Sequence, residues 1–228
     1  MFRVVTVARE YGSGGGRIAQ LLAGRLGWKL LDRCLVEKIS QTASVEPQAA
    51  EKYDERLDPW FNRLADALWR GPGLRGFMAG PLPNRFDAEV VAQLTRRIIE
   101  EAAEIGDCVI VGRGSQCILQ PREDVFHVLI YAPRNERLER LRNRDPHVSK
   151  AEAQKKLGAQ EELRAAYVRD HFGQDWANRH LYHLMASSSL GEEAVVSTIL
   201  TALRRAPAGG TSASPRGKRR LRRNQLDT

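Results

Sequence analysis

Between an apolar β-branched run, Val4-Val5-Thr6-Val7-Ala8, and a stretch of helical apolar spacing from Ile18 to Leu26, the chain carries Gly12-Ser13-Gly14-Gly15-Gly16-Arg17. A helix N-terminus has free N–H groups and a partial positive charge, so it attracts phosphate. Glycines ahead of such a terminus let the backbone wrap the anion. Gly12, Ser13, Gly14, Gly15, Gly16 and Arg17 therefore form the candidate phosphate cradle. Arg9 stands directly behind the same run; it could reach the outer phosphates of a bound polyphosphate, or pair with Glu10 or a helix acid. Arg113 follows Val109-Ile110-Val111 inside Gly112-Arg113-Gly114, at the carboxyl end of an expected strand, where α/β proteins bind ligands. A guanidinium there can fork onto a phosphate or bridge to a neighbouring carboxylate. Asp32 closes the short run Trp28 to Leu31, where it could hold a ribose, a metal-bound water or Arg33, or cap the next helix.

Strands and helices must position these groups, and the periodicity supplies them. The Val4–Ala8 run suits a strand buried on both faces. Apolar residues at 18, 19, 21, 22, 23 and 26 predict a helix that Gly27 ends. A helix is expected from Cys34 to Ser40, and Trp60, Phe61, Leu64, Leu68 and Trp69 have the spacing of an amphipathic helix packed on the body. Gly71 to Asn84 holds four Gly and three Pro and reads as a long loop. Beyond it, helices are expected at 88–105, 135–144, 150–171 and 192–204, and strands at 109–111, 125–131 and 181–186. On helix 135–144, Arg137, Arg140, Arg142 and Arg144 read as a mostly solvated face. Alternation of strands and helices predicts a three-layer α/β fold, a parallel sheet with helices on both faces.

The 228 residues suit one domain and a tail. Of 36 Lys and Arg, eight lie from Arg204 onward beside one acid, Asp227, which leaves 28 basic and 27 acidic residues before them. Residues 1–203 of the expected domain, 1–205, are thus nearly neutral and give no electrostatic reason to bind nucleic acid. The tail, 206–228, is Pro-, Gly-, Ser-, Thr- and Arg-rich and is expected to be disordered. Its basic block suits weak contact with nucleic acid or an acidic protein surface rather than a membrane. Cys34, Cys108 and Cys117 form no CxxC, so neither a disulfide framework nor a zinc site is expected. His180 and His183 have HxxH spacing but no companion ligands, so no metal site is expected there. With no apolar run near about 20 residues and no signal-peptide pattern, the expected location is the cytoplasm.

Two phosphate-loop patterns compete. Gly14-x-Gly16-x-x-Ala19, with Asp32 downstream, fits the dinucleotide fingerprint of an NAD(P)-binding module. Yet Arg9 to Ser13 separate the strand from Gly14, a gap that suits the longer P-loop. The P-loop pattern GxxxxGK[ST], aligned on Gly14, puts Arg9 at its first Gly and Gly15 and Gly16 at its Lys and hydroxyl positions.

The chain resembles the cytidylate kinase-like family, relatives of the P-loop nucleoside monophosphate kinases. The resemblance rests on Ala8-Arg9-Glu10-Tyr11-Gly12-Ser13-Gly14-Gly15, Leu31-Asp32-Arg33, Val109-Ile110-Val111-Gly112-Arg113-Gly114 and Val128-Leu129-Ile130-Tyr131-Ala132-Pro133 with the Arg-rich helix behind it. It continues through Arg164-Ala165-Ala166-Tyr167, Gln174-Asp175-Trp176 and Leu181-Tyr182-His183-Leu184. It implies a P-loop kinase-like fold with a helical monophosphate-binding insertion within about 34–86 and a lid near 140–172, on which Arg164 and Arg169 are the candidates to reach phosphate. It also implies ATP with Mg²⁺, and phosphoryl transfer to a nucleoside monophosphate, CMP or dCMP. Arg9, Arg113 and Arg164 are then the expected catalytic residues, and Asp32 and Arg169 join Gly12 to Arg17 as nucleotide contacts. The missing Lys and hydroxyl keep a nucleotide-binding sensor without turnover as an alternative.

Overall fold

Val4, Val5 and Val7 are fully buried, as a β-branched run must be when helices cover both faces of its sheet. The computed structural model describes residues 1–32, 60, 63–64, 67–68 and 88–205. The expected Cys34–Ser40 helix, the Gly71–Asn84 loop, most of the 34–86 insertion and the 206–228 tail lie outside the described residues. Five strands, β1 (Val4–Arg9), β2 (Lys29–Leu31), β3 (Cys108–Val111), β4 (Val125–Tyr131) and β5 (Leu184–Ser187), form one sheet in the order β2-β3-β1-β4-β5. Every pairing is parallel, with Val5 between Val109 and Phe126. Among the described residues six α-helices accompany them: α1 (Gly15–Leu26), α2 (Ala88–Ile105), α3 (Ser115–Ile118), α4 (Arg134–Arg144), α5 (Lys150–Phe172) and α6 (Glu192–Arg205).

Side chains alternate across the strands, and each face of the sheet has its own core. Val4, Cys108, Ile110 and Val125 pack with Ile98, Ile99 and Ala102 of α2 and with Trp60, Leu64 and Leu68, whose spacing predicted a packed helix. Val5, Val7, Val109, Phe126 and Val128 lie under Ile18, Ala19 and Leu22 of α1 and Val195 and Ile199 of α6. A third cluster joins Leu138 and Leu141 of α4 to Ala153 and Leu157 of α5, with Tyr11 against it. Burial pushes the Cys108 thiol up to about 12, so it behaves as a small apolar side chain.

Helix ends follow local chemistry. Gly27, at φ 68°, closes α1 by donating to Ala23 and Gly24. Ser149 and Glu152 form a capping box at the start of α5. The last strand starts at Leu184 rather than the expected Leu181, because the Asn178 side chain accepts from the His180 N–H and winds Arg179–Leu181 into a 3₁₀ turn. No helix among the described residues is long and apolar enough to cross a membrane.

His127, in the middle of β4, is 4% exposed, and its Nδ1 lies 2.7 Å from the Thr6 hydroxyl. Burial, with the His183 charge in second place, lowers its pKa to about 3. The unfolded chain takes up this proton near 6.5 and the folded protein only near 3, so stability present above pH 6.5 is lost as pH falls through that window. The expected loss is about 1.4 kcal/mol per pH unit from this group. His127→Gln should therefore show a shallower fall of melting temperature between pH 6.5 and 4 than the parent; equal slopes would contradict the assignment.

Candidate functional site

The glycine loop is shaped by what it packs against. Gly12 and Gly14 adopt φ 81° and 78°, which glycine reaches without strain. A Cβ on Gly12 would stand 3.0 Å from the Arg137 carbonyl oxygen, and one on Gly15 2.6 Å from Arg9 Cβ. Ser13 is fully buried, and its hydroxyl donates to the Glu10 carbonyl at 2.9 Å. Arg17 N and Ile18 N return to the Gly14 carbonyl and close the first turn of α1. Gly16 is left on the open side, where a Cβ would meet nothing within 4 Å. The exposed Arg17 reaches Gln20 at 2.9 Å and Glu192 at 3.8 Å.

The arginine-rich helix α4 departs from the expected solvated face. Arg137 is 6% exposed and pairs with Glu10 at 3.3 Å and with Glu161 of α5. Arg140 donates to the Ser13 carbonyl at 3.0 Å and to the Ser188 hydroxyl at 2.7 Å. Leu138 and Leu141 draw one side of α4 onto α5 and Tyr11, and Arg137 and Arg140 travel inward with them. Arg142 and Arg144 remain exposed, as expected.

Beside the loop, at the carboxyl ends of β1 and β3, lies a cavity of about 420 Å³ walled on one side by α5. Arg9, Arg113 and Arg164 all line it, and among the described residues no carboxylate does. The stem of Arg9 lies against Gly15, and its guanidinium lies against Gly112. Arg164 donates to the Arg9 carbonyl at 2.7 Å and sits 5.5 Å over the Tyr11 ring. Gly112, Arg113 and Gly114 run at φ 72°, 60° and 68°. A non-glycine residue in that region is strained, and such strain gathers at functional sites. Burial raises the Tyr167 pKa, and the Arg113 charge opposes this, which places the guanidinium near the phenol.

Arg9, Arg113, Arg164 and the loop thus share one edge of the sheet. Asp32 ends β2, separated from β1 by β3, and does not line the cavity. Arg169 also lies outside the cavity lining; it is exposed beside Glu162 and Asp170. Gln116, Gln160, Tyr167 and Trp176 line the cavity and were not expected from the sequence. For two of them a signal existed: Gln160 and Tyr167 recur with Arg164 at helical spacing.

The dinucleotide pattern finds no support in the topology. A doubly wound dinucleotide fold sets β2 beside β1, whereas here β3 and β4 flank β1. Among the described residues no three His, Cys, Asp or Glu side chains gather as a metal cage, and the Ser13 hydroxyl is turned inward.

The sequence profile of the cytidylate kinase-like family matches residues 4–190. A cytidylate kinase of Shewanella sediminis (strain HAW-EB3) is 36% identical over 73 residues, 32% of this chain and 32% of that protein. The match thus spans about a third of the length of this curated relative. Among solved structures, an uncharacterized protein from Eubacterium ventriosum ATCC 27560 superposes with a TM-score of 0.63 at 18% identity, covering 90% of this chain and 99% of that one. A shikimate kinase from Bacteroides thetaiotaomicron gives a TM-score of 0.47 at 14% identity, covering 88% and 98% of the two chains.

Proposed function

Since the chain belongs to the cytidylate kinase-like family, we propose that it transfers the γ-phosphoryl group of ATP to a nucleoside monophosphate, with CMP or dCMP as acceptor. The observation that carries this reading is the convergence of Arg9, Arg113 and Arg164 on one cavity, beside a glycine loop at a helix N-terminus. Three guanidiniums on one cavity suit a ligand with several phosphate charges.

The transfer needs positioning and charge neutralisation rather than covalent help. An oxygen of the acceptor phosphate bonds to the γ-phosphorus as the bond to the β-phosphate oxygen breaks, and ADP leaves. The glycine loop holds the donor phosphates. Arg113 forks onto the acceptor phosphate. Arg9 spans loop and cavity and supplies the cation that a P-loop Lys would. Arg164 comes from α5, which acts as the lid, and meets the charge that develops on the transferring group. Mg²⁺ carried on ATP would supply charge neutralisation at the donor phosphates that the Gly12–Arg17 loop holds. Asp32, at the next strand but one, orients ribose or a water.

Arg164→Ala is expected to lower kcat about a hundredfold, the scale of one lost transition-state contact, with the acceptor KM changed by no more than about threefold. Steady-state kinetics check this; a rise in KM with kcat unchanged would contradict a role in the transfer itself.

One observation favours a second reading, a nucleotide-binding sensor without turnover. The Lys and hydroxyl positions are Gly15 and Gly16, and the Ser13 hydroxyl is committed to the Glu10 carbonyl. A nucleotide would then bind without forming products.

A further inference from the structure

Gln116 stands in the cavity wall three residues after Arg113 and is 1% exposed. Its Oε1 is buried and accepts no hydrogen bond among the described residues. A buried acceptor left without a donor is costly and calls for a reason.

The orientation of this amide is fixed by its neighbours. The Tyr182 hydroxyl donates its one proton to the Trp176 carbonyl at 2.8 Å. The phenol oxygen can then only accept, and the Gln116 side chain beside it lowers the Tyr182 pKa, as a donor does, against the larger rise from burial. Gln116 must therefore present its NH₂ to Tyr182, since the reversed amide would set oxygen against oxygen. Oε1 is left without a donor beside the cavity that Gln116 lines. Trp176 and Tyr167 line the same cavity and offer aromatic surface for a flat ring.

We propose that Gln116 reads the base of the acceptor. Its Oε1 accepts a hydrogen bond from an exocyclic amino group, and Tyr182 is the positioning residue that keeps the amide from turning. The inference rests on the acceptor site proposed above. The 4-amino group of cytosine and the 6-amino group of adenine share this chemistry. Uracil and hypoxanthine carry a carbonyl oxygen in its place, which Oε1 repels. Sites built to pair a polar group discriminate strongly against an analogue that lacks it.

The test is a set of binding titrations of the full chain with CMP, UMP, AMP, IMP and ribose 5-phosphate. The parent should prefer CMP over UMP, or AMP over IMP, by about tenfold or more, the scale of one buried hydrogen bond. The pair that shows the preference names the ring. Gln116→Leu should bring the ratio to within about twofold by weakening the amino base. Tyr182→Phe, a near-isosteric change that keeps the test available if Gln116→Leu does not fold, frees the amide to turn. It should lower the ratio by strengthening the oxo base, which a merely structural role would not do. A preference that survives in Gln116→Leu overturns the assignment of Gln116, and so does equal binding of both bases by the parent. An unchanged ratio in Tyr182→Phe overturns the positioning role. Binding of ribose 5-phosphate without base preference leaves the acceptor site standing and sinks only this inference; no binding of any of the five compounds overturns the acceptor site itself.

Discussion

Exchanging Arg113 for glycine is expected to lower kcat/KM by about two to three orders of magnitude, the scale seen when a phosphate-directed arginine is removed, while the melting temperature holds or rises. The two effects have opposite signs because Arg113 sits at φ 60° between two glycines in the same left-handed region. An L side chain there costs about 1–2 kcal/mol, and glycine relieves it. The guanidinium lines the cavity with Arg9 and Arg164, so its loss removes function while the backbone strain is relieved. Steady-state kinetics and a thermal melt on the same preparation check this. A melting temperature lowered by several degrees, with activity following it, would make Arg113 a structural ion-pair residue instead.

The second large effect is on the fold. Arg137→Met should destabilise the protein by about 3 kcal/mol, toward the low end for breaking a buried ion pair because its partners are partly exposed. For a domain of this size that is a fall in melting temperature of about 6–12 °C. The Arg137 side chain is 7% exposed, against 23% for Glu10 and 30% for Glu161, so its removal leaves two partly exposed carboxylates without their shared cation. Glu10 also accepts from the Ala132 N–H at 3.0 Å and so braces the ends of β1 and β4. Glu161 belongs to α5, so the same substitution unfastens that helix from the glycine loop. Adding Glu10→Gln should restore part of the stability by removing one uncompensated charge. A melting temperature within about two degrees of the parent for Arg137→Met would show that the triad contributes little.

What the sequence made legible is what short-range periodicity can carry. Val4–Ala8, the glycines and Ile18–Leu26 declare a strand, a loop and a helix within a few residues of each other, and each is present. Arg113 was legible because it ends a strand between glycines. Arg137 and Arg140 were not, since their burial depends on α4 lying across the glycine loop, a contact between segments about a hundred residues apart. The adjacency of β1 to β3 rather than β2 is likewise a matter of chain crossing that no local pattern encodes. The four-residue helix at Ser115–Ile118 is too short to show a period, and it carries Gln116. Arg169 was within reach of simple geometry: five residues beyond Arg164, it points about 140° around the helix from it, away from the cavity that Arg164 lines.

The central claim is turnover. Purified full-length protein, incubated with ATP, Mg²⁺ and one monophosphate at a time, should form ADP and the matching nucleoside diphosphate in equal amounts, fastest with CMP or dCMP and not at all without Mg²⁺. Chromatographic separation of the nucleotides reads both products from one reaction. If ATP binds and no diphosphate of any acceptor appears, the arginine-lined cavity does not carry out phosphoryl transfer, and the protein is a nucleotide sensor.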